Sequence, residues 1–488
     1  MFTNVDLSNL IYLFATINIL ILVAFLLRKF TKLSSLITRK FLHISAIFIA
    51  GLSFVVIQDI YLLYLLGGII LVGNFILFRT GIFEESGVKN PGILFVPISY
   101  LAISFFFNSW REIAAISMWI MAFSDAFAAL IGNHFPIKKL KIGKAKKSIG
   151  GSLAFFISTI IVLSVSINYF QSFSAFVNIS NLFELFVFIL FLSVVLTASE
   201  SLSFNGIDNL IVPIFSAVLL LLFHSFFQSI DFAQLFWGIL LATLIVVASI
   251  KLKFLQIDGV ISAFILGSFV FGLGGIQWTI PILVFYIFSS TLSKIRNAVS
   301  EEKSEKGSQR DAFQVLANGG IPGIAVVSSY FFESEIWFVI YLISLSVSTA
   351  DTWATEFGNL KKRKTINILN FKEIEQGESG GISFGGTLGG IFGASLIAVS
   401  GIFWLQNNLF FQFLLISSMG FFGMLIDSVL GSSLQRKNTC VVCKKQTEKS
   451  IHCGIPTEYH VGTKWLNNDG VNFISALTAV ILFLLISF

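Results

Sequence analysis

Charge is what this chain has least of. Asp, Glu, Lys and Arg make up 12% of its 488 residues, against about 25% in soluble domains, and that excludes an ordinary water-soluble fold. Familiar nucleotide signatures are missing as well. No G-x-x-x-x-G-K-[ST] run occurs, and no protein-kinase signature set, so the usual ATP folds are excluded. Only 3 cysteines are present, all inside one loop. The first apolar run lacks a basic n-region and a small-residue cleavage site, so it reads as an anchor helix and not a signal peptide.

Most of the chain is apolar sequence. Hydrophobic residues reach 56% and the mean hydropathy is +0.88. Apolar runs of about 20 residues are spanning helices, and their succession predicts an all-α polytopic membrane protein of about sixteen transmembrane helices. Lys and Arg concentrate in residues 28–40, 138–147, 251–253, 294–310, 361–364 and 436–449. Alternate counting from an outside N-terminus puts all of these on one face, the cytoplasmic one. The intervening connections, such as 108–111 and 331–335, are short and nearly free of base. The net charge of +6 is then explained by inside loops and anionic lipid, with no nucleic-acid partner.

A boundary near residue 231 divides the spans into two parallel sets of eight, 1–230 and 231–488, and the polar residues repeat across it. Asp125 and Asp351 fall on the fifth helix of each half. Gly150-Gly151-Ser152 and Gly385-Gly386-Thr387 open the sixth, after basic runs that include Lys146, Lys147 and Ser148 in one half and 361–364 in the other. Glu200 and Asp427 lie near the end of the seventh. Asp208-Asn209 and Asn468-Asp469 open the eighth. Intramembrane acids usually face the protein interior and mark function. A glycine-headed helix start offers amides and a positive dipole end to an anion, although glycine pairs also serve close helix packing. Acids beside amides and lysines suit Mg2+ and a polyphosphate. Asp125, Glu200 and Asp208 are the acids of the first site; Asp351, Glu356, Asp427 and Asp469 are those of the second. Mg2+ is assigned to Asp125, Asp208, Asp351 and Asp427. His43, just inside the second helix, is either a satisfied interfacial histidine or a substrate or phosphate contact. Cys440, Cys443, His452 and Cys453 supply four soft ligands, enough for a closed structural Zn2+ site, and a disulfide is disfavoured in a cytoplasmic loop.

These runs carry two resemblances. Residues 30–225 contain Arg39-Lys40-Phe41-Leu42-His43, Ser124-Asp125-Ala126, Lys146-Lys147-Ser148-Ile149-Gly150-Gly151-Ser152 and Glu200-Ser201 with Asp208-Asn209 and Pro213. This half resembles the phytol kinase and dolichol kinase family, which commonly has Glu-Gly-Thr where this chain has Gly150-Gly151-Ser152. Residues 235–488 contain Ile257-Asp258-Gly259, Asn318-Gly319-Gly320, Ala350-Asp351-Thr352-Trp353-Ala354-Thr355-Glu356, Asp427-Ser428 and Trp465-Leu466-Asn467-Asn468-Asp469. This half is similar to the phytyl-phosphate kinase family, which often has Asp where Asn467 stands.

The resemblances imply two successive phosphotransfers in one chain. An isoprenoid alcohol such as phytol becomes the monophosphate and then the diphosphate, with CTP favoured as the nucleoside triphosphate and Mg2+ as cofactor, as in tocopherol biosynthesis. The catalytic set is then Asp125, Glu200, Asp208, Asn209, Asp351, Glu356, Asp427 and Asp469. Lys146, Lys147, Ser148, Gly150, Gly151, Arg310, Asn318, Gly385, Gly386 and Thr387 bind nucleotide or phosphate, and His43 binds substrate. The expected setting is a bacterial plasma membrane, with a plastid membrane second. A cytidylyltransferase acting on a lipid phosphate, or a lipid transporter, are the competing classes.

Overall fold

The computed structural model describes residues 4–31, 33–80, 91–142, 145–170, 181–299, 309–360, 364–406, 408–444, 446–448 and 451–487. Lys144, Lys361, Lys362 and Arg363, part of the expected basic runs, lie outside the described residues.

Contacts divide the chain into two compact units, Met1–Phe236 and Trp237–Phe488. The first holds α1 (Asn4–Phe30), α2 (Ser35–Val56), α3 (Ile60–Thr80), α4 (Gly92–Phe106), α5 (Arg111–His134), α6 (Ile149–Tyr169), α7 (Leu182–Leu202) and α8 (Asp208–Phe226). Helix α9 (Phe232–Lys251) contains the boundary. The second unit continues with α10 (Ile257–Gly272), α11 (Ile276–Val299), α12 (Ala312–Phe331), α13 (Ile336–Gly358), α14 (Phe384–Gly401), α15 (Leu409–Ser433) and α16 (Asn468–Ser487). Among the described residues, fourteen helices are long and apolar enough to cross a bilayer. Helices α4 and α10, with 15 and 16 residues, are about 22–24 Å long at 1.5 Å per residue, short of a hydrocarbon core of about 30 Å. The chain is an all-α polytopic membrane protein.

Short strands occur in the connections. Strands β1 (Lys139–Ile142) and β2 (Ala145–Ser148) form an antiparallel pair between α5 and α6. Strands β3 (Thr365–Asn367), β4 (Glu373–Ile374) and β5 (Gly381–Ile382) form a small sheet between α13 and α14. Between α15 and α16, β6 (Lys437–Thr439) pairs with β7 (Gln446–Thr447) and β10 (Glu458–Val461), and β8 (Ile451–His452) pairs with β9 (Ile455–Pro456).

Each unit is organised around its acid-bearing helix. In α5 and in α13, 72% of the spanning window is buried, against at most 50% in any other span. Helix α5 packs on α2, α6 and α8; α13 packs on α11, α12, α14, α15 and α16. Helix α5 also contains a π-helical turn, Met121–Asp125, whereas α13 is α-helical throughout.

The glycine pairs open α6 and α14 because those helices press against the backbone of the acid-bearing helix. A Cβ on Gly151 would lie 3.0 Å from the Ala128 carbonyl oxygen, and one on Gly386 would lie 3.0 Å from that of Ala354. Ala128 comes three residues after Asp125 and Ala354 three after Asp351, so the crossing has the same register in both units. Caps match too: Ser148 Oγ accepts from Gly151 N over 3.1 Å, and Ser383 Oγ from Gly386 N over 3.2 Å.

Gly151→Val or Gly386→Val should therefore force the helices apart, at an overpacking cost of about 1–3 kcal/mol, and lower the thermal midpoint in detergent. Gly73→Ala, with nothing within 4 Å of the new Cβ, should leave it unchanged. Equal melting of all three proteins would refute the packing account.

Candidate active site and metal centre

The first unit gathers its ionisable groups from five elements. Asp125 closes the π turn of α5, and its Oδ2 receives Lys40 Nζ at 2.6 Å. His43 Nε2 lies 3.1 Å from the same oxygen. Lys40 and His43 are three residues apart on α2, so they share one helix face. Lys147 of β2 pairs with Glu200 of α7 and lies 3.5 Å from Asp208 Oδ2 in the first turn of α8. Asp125 also acts on Lys147 electrostatically, which joins the two pairings into one cluster. Alternation along β2 explains the selection: Lys147 turns inward and Lys146 is exposed.

Burial works to lower the Lys147 ammonium, but Glu200 and Asp208 outweigh it, and the net direction is upward from the ordinary lysine value. A raised lysine contributes stability below its unfolded pKa of about 10.4, lost as pH climbs through the higher folded one. Lys147 is therefore a permanent cation at neutral pH.

Other expected residues of this unit make structural contacts. Asn209 Nδ2 donates to the Gly92 carbonyl over 2.8 Å and so ties α8 to the start of α4. Ser148 caps α6, and Gly150 comes so close to Phe135 that a Cβ would lie 2.1 Å from its carbonyl oxygen.

In the second unit Glu356 is buried near the end of α13. Ser293 Oγ of α11 donates to its Oε1 over 2.6 Å, and Arg296 Nε donates to its Oε2 over 2.7 Å. Arg310 also feels the Glu356 charge. Its guanidinium lies over the Phe285 ring at 5.2 Å. Burial lowers the Arg310 pKa, with Tyr286 and Glu356 pulling the other way. Asp427 of α15 accepts from Ser475 Oγ over 3.3 Å. With its amide nitrogen turned toward the acid, Asn472 donates to the same oxygen over 3.1 Å. Both donors belong to α16, whose first turn carries Asp469 beside Asn467 Nδ2 at 3.4 Å. Asn318 links α12 to α13 through its carbonyl, which accepts from Ser348 Oγ over 3.4 Å. Asp351 is half-buried on α13, and Gly385 and Thr387 lie in the first turn of α14.

Lys40, Ser293, Arg296, Asn472 and Ser475 are the partners that sequence reasoning did not assign to the sites. For Lys40 a signal existed, its place one turn before His43. For Arg296 it was a position in the last turn of α11, three residues after Ser293.

Between α15 and α16 the ligand atoms of Cys440, Cys443, His452 and Cys453 all lie within 4.8 Å of one another. This is a Cys3His set that could hold a metal ion, and among the described residues it is the one such gathering of three or more His, Cys, Asp or Glu side chains. The Cys443 amide points at Cys440 Sγ and, against the effect of burial, brings that thiol down to about 6, with help from His452 and the Val442 amide. Cys453 is pushed up to about 11, first by Cys443 and then by burial. A thiolate available at neutral pH is the form that ligates metal.

An apolar cavity of about 360 Å³ lies among α12, α13 and α16, bounded by Ile321, Ala325, Trp337, Ile340, Phe473 and Leu477. Phe473 stands one turn beyond Asp469 on α16.

The family described as Integral membrane protein DUF92 matches residues 240–480. Protein PGR of Arabidopsis thaliana is 29% identical over 274 residues, which cover 50% of this chain and 93% of that protein. An uncharacterised membrane protein of Methanocaldococcus jannaschii is 30% identical over 208 residues, 42% of this chain and 84% of the relative. A phytol kinase of Synechocystis is 30% identical over 138 residues, 28% of this chain and 56% of that enzyme. The chain is thus distantly homologous, over part of its length, to a phytol kinase. No solved structure matches.

Removing one member of a fully buried ion pair costs about 3–5 kcal/mol; the cost is smaller here because Lys40 and Asp125 are part-buried and His43 stays beside the carboxylate. Lys40→Met should therefore destabilise the protein, and Lys40→Met with Asp125→Asn should recover much of the loss. The coupling in a double-mutant cycle of thermal midpoints checks this; simple additivity would mean that the two side chains do not interact.

Proposed function

Since this chain belongs to the integral membrane protein DUF92 family through residues 240–480, we propose that it is a bifunctional membrane prenol kinase. The first unit, phytol kinase-like, would phosphorylate an isoprenoid alcohol of the phytol class, and the second, phytyl-phosphate kinase-like, would convert the monophosphate to the diphosphate. CTP is the favoured donor. One observation carries the reading: Lys40, His43, Asp125, Lys147, Glu200 and Asp208 converge where apolar helices end, a cluster costly to bury and suited to a reacting phosphate. The similarity to a phytol kinase supports it.

In the first unit the alcohol oxygen attacks the γ-phosphorus, and the bond from that phosphorus to the bridging oxygen breaks. Asp125, with His43 beside it, would either receive the hydroxyl proton or hold Mg2+. Lys40 and Lys147 exchange their carboxylate partners for phosphate oxygens and hold the charge that develops. In the second unit the nucleophile is already an anionic phosphate and needs no strong base. Arg310 and Arg296 hold it near Glu356 against the repulsion of a second polyanion. The apolar cavity beside α16 takes part of the tail, since its lining offers water almost nothing to bond.

The donor chemistry fits Mg2+, which commonly takes one or two carboxylates and completes its shell with phosphate oxygens and water; Asp125 and Asp208 in one unit and Asp351 and Asp427 in the other supply such oxygens. When bound, the ion neutralises the β- and γ-phosphates. The Cys3His set is of the kind that selects Zn2+. Both sites are assigned to the cytoplasmic face, in two parallel eight-helix halves of a bacterial plasma membrane or, second, a plastid membrane.

Mass spectrometry of products from purified protein with phytol, CTP and Mg2+ tests the reading. Wild type should yield diphosphate, Asp351→Asn should accumulate monophosphate, and Asp125→Asn should leave phytol unconverted. A CMP-linked lipid would reassign the chain to cytidylyl transfer. If no prenol reacts with any nucleoside triphosphate, the kinase reading is wrong and lipid transport takes its place.

A further inference from the structure

We infer that the Cys3His centre is a zinc clasp which fixes the relative position of α15 and α16, and through it the Asp427–Asp469 end of the second unit. This goes beyond the phosphotransfer reading and does not depend on it.

The donor spacing is that of a closed tetrahedral site. With Zn–S of about 2.3 Å and Zn–N of about 2.0–2.1 Å, tetrahedral geometry sets S···N near about 3.5 Å. His452 Nδ1 lies 3.5 Å from Cys443 Sγ and 3.3 Å from Cys453 Sγ. The backbone bends to match: Lys444, Cys453 and Gly454 take φ of 59°, 50° and 79°, left-handed turns that curl the chain around the sulfurs. Four protein donors leave no open position, the mark of a structural and not a catalytic zinc.

The loop that carries the ligands joins the two helices that meet at Asp427. Strand β6 begins shortly after α15 ends, and β10 leads into α16. The strand pairing continues past the strands, because Thr463 N donates to the Leu434 carbonyl and Arg436 N to the Leu466 carbonyl, each over 2.8 Å. Gly462, with φ of 95°, sits so near the chain that a Cβ would meet the Gln435 carbonyl at 2.1 Å. Beyond this closure stand Asp427 on α15 and its partners Asn472 and Ser475 on α16.

A third segment is held as well. Ser379 Oγ donates to Glu448 Oε1 over 2.5 Å, and Lys437 Nζ donates to the Ser379 carbonyl over 3.4 Å. Ser379 lies just before β5 and the glycine-headed start of α14. The metal loop therefore touches the connection that leaves the acid-bearing helix α13.

Beyond the β7–β6–β10 sheet, the segment that carries His452 and Cys453 is held by the two-residue strands β8 and β9, and a lone two-stranded hairpin is marginal in water. For such small modules the free energy of metal binding is largely the free energy of folding.

The test uses full-length protein in detergent, purified with reduced thiols and Zn2+. Elemental analysis should find about one zinc per chain. Chelation should raise hydrogen exchange about tenfold in residues 434–439, 458–472 and 376–382 and leave 37–45 unchanged; added Zn2+ should reverse it. Cys443→Ser should reproduce the chelated state, and the chelation arm decides the matter if that variant does not fold. Absence of bound zinc overturns the inference, and so does an exchange change confined to 440–454. Neither outcome depends on catalysis, so a failure of the kinase reading leaves this test standing.

Discussion

The structure depends on a carboxylate placed inside an apolar helix and neutralised by a cation that another helix delivers. An unpaired acid in the middle of a spanning helix costs about 2.5–3.5 kcal/mol on insertion scales. The Asp125–Lys40 contact at 2.6 Å offsets that cost only when α2 lies on α5, and the Glu356–Arg296 contact at 2.7 Å likewise neutralises a buried acid at the end of α13 only when α11 lies on it. Each pairing thus acts as a docking condition for the bundle.

Around that condition both units use the same local construction. The acid-bearing helix is the most buried of its unit, a serine caps the next helix, and a glycine three residues on from the serine lets the two backbones touch. Small residues at such crossings replace the hydrophobic drive that lipid cannot provide. The units differ in where their cations come from. In the first, a strand carries Lys147 onto Glu200. In the second, Ile382 precedes the cap and the cations are Arg296 and Arg310.

Much of this was legible in the sequence because a bilayer imposes strong rules. Apolar runs announce about sixteen spans, of which fourteen among the described residues are long and apolar enough to cross a bilayer, and an acid such as Asp125 stands out in one of them. The partners were less legible. Lys40 lies 85 residues from Asp125 and sits in a basic segment, where the positive-inside rule already accounts for it. Arg296 is hidden the same way within 294–310. Gly150-Gly151 admitted two readings, anion cradle and close packing. The close approach of Gly151 to the Ala128 carbonyl, which accounts for the packing, is a tertiary fact with no local trace. The Cys-x2-Cys and His-Cys pairs were the opposite case, since ligand spacing is encoded locally and needs only a turn to bring it together.

The π turn at Met121–Asp125 gives α5 two rotational phases. A π turn adds one residue to the helical count, and one residue corresponds to about 100°. Before the turn, Trp119 faces α2 and donates to the Phe48 carbonyl over 3.1 Å. After it, Ala128 and Gly132 face α6. Asp125 stands at the seam. Its direction is therefore set by neither half alone but by the phase difference between them, which a continuous α-helix such as α13 does not possess.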